Sequence, residues 1–303
     1  MVGQKNKNHI LLVDGENILH QSFHKFEKLK STDGKPSGAI FGFFKSLHMY
    51  LTRFNPDDVY ISFDCGKRSD FRTKLVPEYK SHRKNISIDY ESLQTQKRII
   101  IKILGMLRIK YIFDKKKTTN YEGDDFLAYL ILNNLNTKSK ITLISSDKDF
   151  NQLLDGNRVK IFNPRKEEIV YESNCMKLFG YEAKETVDYL SMVGDKSDDI
   201  SGFPGIGPVK ARKILDEYGN LLSFVQKNPK YEEIYLRNQK MIDLRVFINQ
   251  NYILPDRLPI KVYRSNEIKY TKFKELCIDY SFSSFMTNEF IEPFKNLLIC
   301  EQC

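Results

Sequence analysis

Cysteine is scarce in this chain and follows no pairing pattern. Cys65, Cys175, Cys277, Cys300 and Cys303 are scattered and odd in number, which excludes a disulfide framework and points to a reducing compartment. Cys300 and Cys303 make a single C-x-x-C with no second pair, so they read as tail residues rather than zinc ligands. Long apolar runs are also lacking. The longest, IIIKILGML (Ile99 to Leu107), is interrupted by Lys102 and is too short to cross a bilayer. The opening MVGQKNKNHI is polar, so neither secretion nor a membrane anchor is expected. No repeat is visible, and no Pro, Gly or Ser tract marks a linker.

What the chain does carry is charge. Its 48 Lys and Arg outnumber 39 Asp and Glu, a net +9 over 303 residues that favours a polyanionic partner. HILLV (His9 to Val13), VYISF (Val59 to Phe63), KITLIS (Lys140 to Ser145) and RVKIF (Arg158 to Phe162) read as strands buried on both faces. SGAIFGFFKSLHMYLTRF, DYESLQTQKRIIIKILGMLR and GDDFLAYLILNNL have helical spacing between them. Strand alternating with helix predicts an α/β fold, a parallel twisted sheet flanked by helices. After about Ser173 the pattern changes to helices only, which predicts a core over residues 1–185 and a helical region over 186–303.

Three of the strands run directly into aspartate: Asp14, Asp64, and Asp147 with Asp149. In a parallel sheet these carboxyl ends share one edge, where ligands bind. YEGDD adds Glu122, Asp124 and Asp125 at a helix start, and VGDKSDD adds Asp195 and Asp198. Taken singly, acids in a first helical turn serve as caps. Together they are too many for that. Two carboxylates about 4 Å apart repel by roughly 4 kcal/mol at an effective dielectric of 20, so the cluster requires counter-charge or protonation. With no His or Cys among them, the acids suit hard cations, Mg²⁺ foremost, rather than zinc. Acid clusters that hold two such ions belong to phosphoryl-transfer sites.

The basic residues have their own pattern. FDCGKRSDFRTKLVPEYKSHRKN carries Arg72, Lys80 and Arg83, and YKSHR places Lys80 and Arg83 one helical turn apart beside Tyr79, a ring on which a base could stack. GFPGIGPVKA (Gly202 to Ala211) is neither a Walker A loop, which needs Gly-Lys-Ser/Thr, nor a dinucleotide fingerprint, which needs a preceding strand. A Gly-x-Gly turn between helices, with Lys210, Arg212 and Lys213 beyond it, suits a DNA-backbone clamp.

Taken in order, LLVDGEN, FDCGKRSDFRTKLVPEYKSHR, YEGDDFLAYL, ISSDKDFNQLL and VGDKSDDISGFPGIGPVKA resemble the structure-specific 5′-nucleases, the flap endonucleases and 5′-3′ exonucleases, most of all their bacteriophage members. The match runs from about residue 10 to 220. The resemblance implies a PIN-like nuclease core, a helical arch over about residues 80–104, and a helix-hairpin-helix variant over about 188–220. It implies one metal held mainly by Asp14, Asp64, Glu122, Asp124 and Asp147, a second held mainly by Asp149, Asp195 and Asp198, and a further site acid at Asp125. Mg²⁺, with Mn²⁺ as substitute, is the implied ion. Lys80 and Arg83 match residues at the scissile phosphate, and Tyr79 a stacking residue. Arg72, Gly205, Gly207 and Lys210 are taken as DNA contacts, with a K⁺ site on the carbonyls of the Gly202–Gly207 turn. Cys65, Gly123 and Asp199 stand where the family usually has Gly, Ala and Asn. The implied partners are DNA with 5′ flaps, nicks or free 5′ ends, with RNA/DNA hybrids left open, acted on by a monomer in the cytoplasm or nucleoid. The competing expectations are a catalytically silent junction binder, an RNA-directed nuclease, and a small-molecule aspartyl phosphatase, the last opposed by Glu16 where a second Asp is needed.

Overall fold

The computed structural model describes residues 9–64, 70–81, 89–113, 121–135, 138–246, 260–261 and 268–297. Strand β1 (His9–Asp14) is central and buried from Ile10 onward. It pairs in parallel with β2 (Asp58–Ser62) and β4 (Lys140–Ile144). β2 extends in parallel to β3 (Lys110–Ile112), and β4 to β5 (Val159–Asn163). Short antiparallel strands finish both margins, β6 (Glu168–Val170) on β5 and β9 (Ile260–Lys261) on β3, giving the order β6-β5-β4-β1-β2-β3-β9.

Alternation along the strands divides the core in two. Leu11, Val13, Val59 and Ile61 face helices α1 (Gly15–Lys25), α2 (Gly38–Phe54) and α4 (Tyr90–Leu107). Ile10, Leu12, Ile141 and Leu143 belong to the other cluster, with α5 (Gly123–Tyr129), α7 (Thr186–Val193), α8 (Pro208–Tyr218), α9 (Leu221–Lys227) and α10 (Glu232–Ile242). Two further helices, α3 (Asp70–Leu75) and α6 (Glu172–Phe179), lie between these elements in the chain. Gly42 permits the close α1–α2 contact: a Cβ there would lie 2.6 Å from the Phe26 ring and 2.7 Å from Ser22 Cβ.

Residues beyond 185, expected as one helical region, part between the two clusters. Those of α7 to α10 pack on one face, whereas helices Tyr270–Asp279 and Asn288–Lys295 return to α2 and α4 on the other. They are not helices only. β7 (Gly194–Asp195) and β8 (Ile200–Ser201) form a small antiparallel pair, and β9 rejoins the main sheet. The arch expected over residues 80–104 is also revised. From Leu93 onward α4 is a core helix with Ile100, Ile103 and Leu104 buried, and residues 82–88, Arg83 included, lie outside the described residues.

Candidate functional site

The strand ends deliver the acids as the topology requires. Asp14 ends β1 and caps α1, accepting from the Asn17 amide at 2.9 Å and from Ser145 Oγ at 2.8 Å. Asp64 follows β2, and its Oδ1 accepts the Gly123 amide at 2.7 Å. Here the departure from Ala is instructive, because a Cβ on residue 123 would lie 3.2 Å from that oxygen and 3.3 Å from Ser62 Oγ. Asp147 follows β4 and accepts the Asp149 amide at 2.9 Å. Asp195 is buried in β7, held by the Ser197 amide at 2.8 Å and Ser197 Oγ at 2.6 Å.

These acids feel one another. Burial first, then the charges of Asp64 and Asp147, push Asp14 up to about 7. Burial followed by Asp14 and Asp147 holds the Asp124 carboxyl well above the usual range, and burial followed by Asp147, Asp198 and Asp195 does the same to Asp149. Burial, Glu16 and Glu122 also raise Asp64. The last strand-end acids and those of the β7–β8 turn therefore share one cleft. Lysines answer part of this charge. Lys80 Nζ lies 2.6 Å from Glu122 Oε2 and 3.8 Å from Asp198 Oδ2, and Lys148 Nζ lies 3.4 Å from Asp195 Oδ2.

Whether the cleft suits a hard cation is decided by its donors. They are all carboxylate oxygens, and one, Asp149 Oδ1, is buried without a hydrogen-bond partner. Such an atom is costly unless something positive meets it. The set fits Mg²⁺ or Mn²⁺ in chemistry. In spacing, no three His, Cys, Asp or Glu side chains among the described residues are gathered as ligands around one point.

Four expectations need correction. Asp125, expected as a site acid, is 0% exposed and is engaged by Arg72 at 2.8 and 3.0 Å while accepting the Glu122 amide at 2.9 Å. Arg72, expected at DNA, is 3% exposed for the same reason. Tyr79, expected to offer a ring face, is buried with its hydroxyl donating to Glu122 at 2.9 Å. Lys80 does not continue a helix toward residue 83: its φ is +53°, its amide donates to the Asp198 carbonyl at 3.2 Å, and its side chain is buried. The burial of this ammonium does not discharge it, because Glu122, Tyr79 and Asp198 outweigh desolvation and hold its pKa well above the ordinary lysine value.

The hairpin follows the acid turn. Gly205 has φ +73°, Gly207 precedes Pro208 at the start of α8, and Lys210 Nζ donates to the Gly205 carbonyl at 2.8 Å. Arg212, expected to join the clamp, instead binds Glu185 at 2.5 Å and 3.0 Å and Asp216 at 2.8 Å, tying α8 to the turn before α7. Asp199, with φ +58°, accepts Ser81 Oγ at 3.4 Å. Sequence reasoning overlooked Ser145, Lys148 and Lys97. Lys97 had a signal: it falls on the apolar stripe of Leu93, Ile100 and Leu104, where a lysine requires a partner.

The pH response of the metal-free protein follows from these shifts. For Asp14, raised from 3.8 to about 7, the folded chain keeps a proton that the unfolded chain releases, so stability falls as pH rises through that window. Asp64, Asp124 and Asp149 act in the same direction. Glu122 acts oppositely: burial raises it, but Lys80 and Arg72 prevail and lower it from 4.5 to about 2, so its contribution is present above that window and lost as pH falls through it. Thermal unfolding in chelator should therefore show a melting temperature that falls from about pH 5 to about pH 8. A steady rise over that interval would contradict the assignment.

The family model described as the 5′-3′ exonuclease N-terminal resolvase-like domain matches residues 9–180, and the one described as the 5′-3′ exonuclease C-terminal SAM fold matches residues 181–248. A 5′-3′ exonuclease of Aquifex aeolicus is 30% identical over 231 residues, 76% of this chain and 77% of the relative. DNA polymerase I of Caldicellulosiruptor bescii is 29% identical over 91% of this chain, which spans 33% of that protein. A bacteriophage T5 flap endonuclease, solved in complex with DNA and metal ions, superposes with a TM-score of 0.66 at 19% identity, covering 90% of this chain and 98% of its own. The fold is thus the mixed one expected, a parallel-dominated resolvase-like sheet followed by a SAM-like helical region. From the two family models, matched in series, the chain belongs to the 5′-3′ exonuclease family.

Proposed function

We propose that this chain is a divalent-metal-dependent nuclease that hydrolyses DNA phosphodiesters near single-strand/duplex junctions, acting from free 5′ ends and on 5′ flaps. What supports this reading is that acids from β1, β2, β4, α5 and the β7–β8 turn lie near enough to feel one another's charge, with a buried, unpartnered Asp149 oxygen among them. Asp14, Asp64, Glu122, Asp124 and Asp147 would hold one ion, and Asp149, Asp195 and Asp198 a second. Such ions supply Lewis-acid stabilisation of phosphoryl oxygens and acidify water at neutral pH. The chain's own contribution is charge and position. Lys80 brings an ammonium to within 2.6 Å of Glu122, so positive charge is already present where a scissile phosphate would approach the acids. Arg83 is proposed to act with it.

The Gly202–Gly207 turn and Lys210 are proposed to grip the duplex, with K⁺ on the turn carbonyls. Lys210→Ala should weaken duplex binding and lower the slope of log K against log salt by about 0.9, one phosphate contact, without changing which junction is cut. Fluorescence anisotropy over a salt series checks this. The polymerase-type relative supports a role in replication and an intracellular setting, and RNA primers are proposed as a further substrate. No helix among the described residues is long and apolar enough to cross a membrane. The deciding assay follows product sizes from 5′-labelled flap, nicked and RNA-primed duplexes with Mg²⁺, with Mn²⁺ and in chelator. Metal-dependent cleavage at the junction is expected, and Asp147→Ala should abolish it. Binding of the flap without any product in either metal would replace this reading with that of a silent junction protein.

A further inference from the structure

The N-terminal turn of α1 and the middle of α4 meet at a pair outside the acid set assigned above. Lys97 is 2% exposed, and its ammonium donates to Glu16 Oε2 at 2.6 Å and to the Asp64 carbonyl at 2.8 Å. Two rings flank it, Phe63 at 5.5 Å and Phe113 at 5.4 Å from their centroids. The adjacent Gln96 is equally committed, its Oε1 accepting the Ala39 amide at 2.8 Å, so this stretch of α4 is fixed against α2 as well. Among the described residues Glu16 also meets His20 Nε2 at 3.6 Å. Asp64 is thus gripped at both ends: its carboxylate by the Gly123 amide, its carbonyl by Lys97.

We propose that Lys97 is a positioning residue of the acid centre, a clamp from α4 that ties Glu16 to the Asp64 carbonyl and thereby aims the Asp64 carboxylate into the cleft. The proposal rests on the reading of that cleft as a divalent-cation site. A backbone hydrogen bond to a potential ligand residue does for the carboxylate what an outer partner does for a metal-bound histidine: it removes rotational freedom before the cation arrives. The pairing with Glu16 has a separate task. An unneutralised ammonium beside the cleft would repel a cation, whereas the Lys97–Glu16 pair carries no net charge and leaves only the geometric effect.

That neutrality also gives the test. Lys97→Met alone would leave Glu16 charged beside Asp64, which attracts a cation while the geometry loosens, so the two effects oppose each other. The double variant Lys97→Met with Glu16→Gln keeps the charge of the wild-type pair and removes the clamp. Manganese binding measured by calorimetry should weaken about tenfold in this double variant, the lower end of what loss of such a partner causes. The pair Lys97→Gln with Glu16→Gln, which retains a neutral hydrogen bond across the same gap, should recover part of that loss. Circular-dichroism melting in chelator reports whether each variant folds. Wild-type affinity for manganese in folded double variants, with only a lowered melting temperature, would overturn the clamp and leave Lys97 as packing. The wild type and Asp147→Ala report separately on the cleft. If the wild type itself binds no manganese, the metal reading fails, whatever Lys97 does.

Discussion

Asp124→Asn should cut junction cleavage by at least about a hundredfold, near 3 kcal/mol of transition-state stabilisation, and at the same time make the metal-free protein harder to melt. Both effects have one cause. Asp124 lies among Asp14, Asp147 and Asp64, and burial and these charges hold its carboxyl well above the usual range. At about pH 8 the folded chain therefore bears a cost that asparagine, of the same shape, does not, either a crowded charge or a proton that the unfolded chain would release. Removing it should stabilise the chelated protein by about 1 to 2 kcal/mol, the size of effect seen when a functional site is relieved of strain. Millimolar magnesium should narrow or reverse the difference, since a ligand of the native state stabilises only the chain that binds it. Melting curves in chelator and in magnesium, beside single-turnover cleavage, check the pair of effects. Loss of activity together with loss of stability in chelator would contradict the account.

Arg72→Ala should destabilise the protein by about 3 to 5 kcal/mol, because it leaves a fully buried carboxylate without its counter-charge. Asp125 is bound by both ends of the guanidinium and also holds the Glu122 amide, so its displacement would move a cleft acid as well. The double variant Arg72→Ala with Asp125→Ala should be less destabilised than the single, since Asp125 is no longer orphaned and Glu122, which also faces Arg72 at 3.5 Å, keeps Lys80. Urea denaturation of the wild type and both variants measures this. If Arg72 were a DNA contact, the single variant would keep wild-type stability and lose only salt-dependent affinity.

Much of this site was written in the order of residues. Four strands were legible because each is short, rich in β-branched or aromatic residues, and buried on both faces, and their order then placed Asp14, Asp64 and Asp147 on one edge. β3 was not, since its three residues lie in Ile109 to Phe113, a stretch that follows α4 after Arg108 alone and is too short to show a period of its own, and β6, β7, β8 and β9 are as short or shorter. Orientation was illegible for a different reason. Asp124 and Asp125 are neighbours in one helical turn, and which of them meets the cleft depends on α3 bringing Arg72 up against Asp125 from 53 residues away. Tyr79 shows the same limit: spacing puts a ring beside Lys80, but tertiary packing turns its hydroxyl inward to Glu122.

The two margins of the large sheet carry a consequence for self-association. A parallel sheet that ended on β3 or β5 would offer a ready ladder to any chain with a free strand, including another copy of itself. Among the described residues the outermost strands are β6, three residues, and β9, two residues, both running against their neighbours. At the β6 margin a visiting strand finds only three residues' amides and carbonyls, too few to extend the ladder, so growth from that edge is limited by brevity rather than by charge.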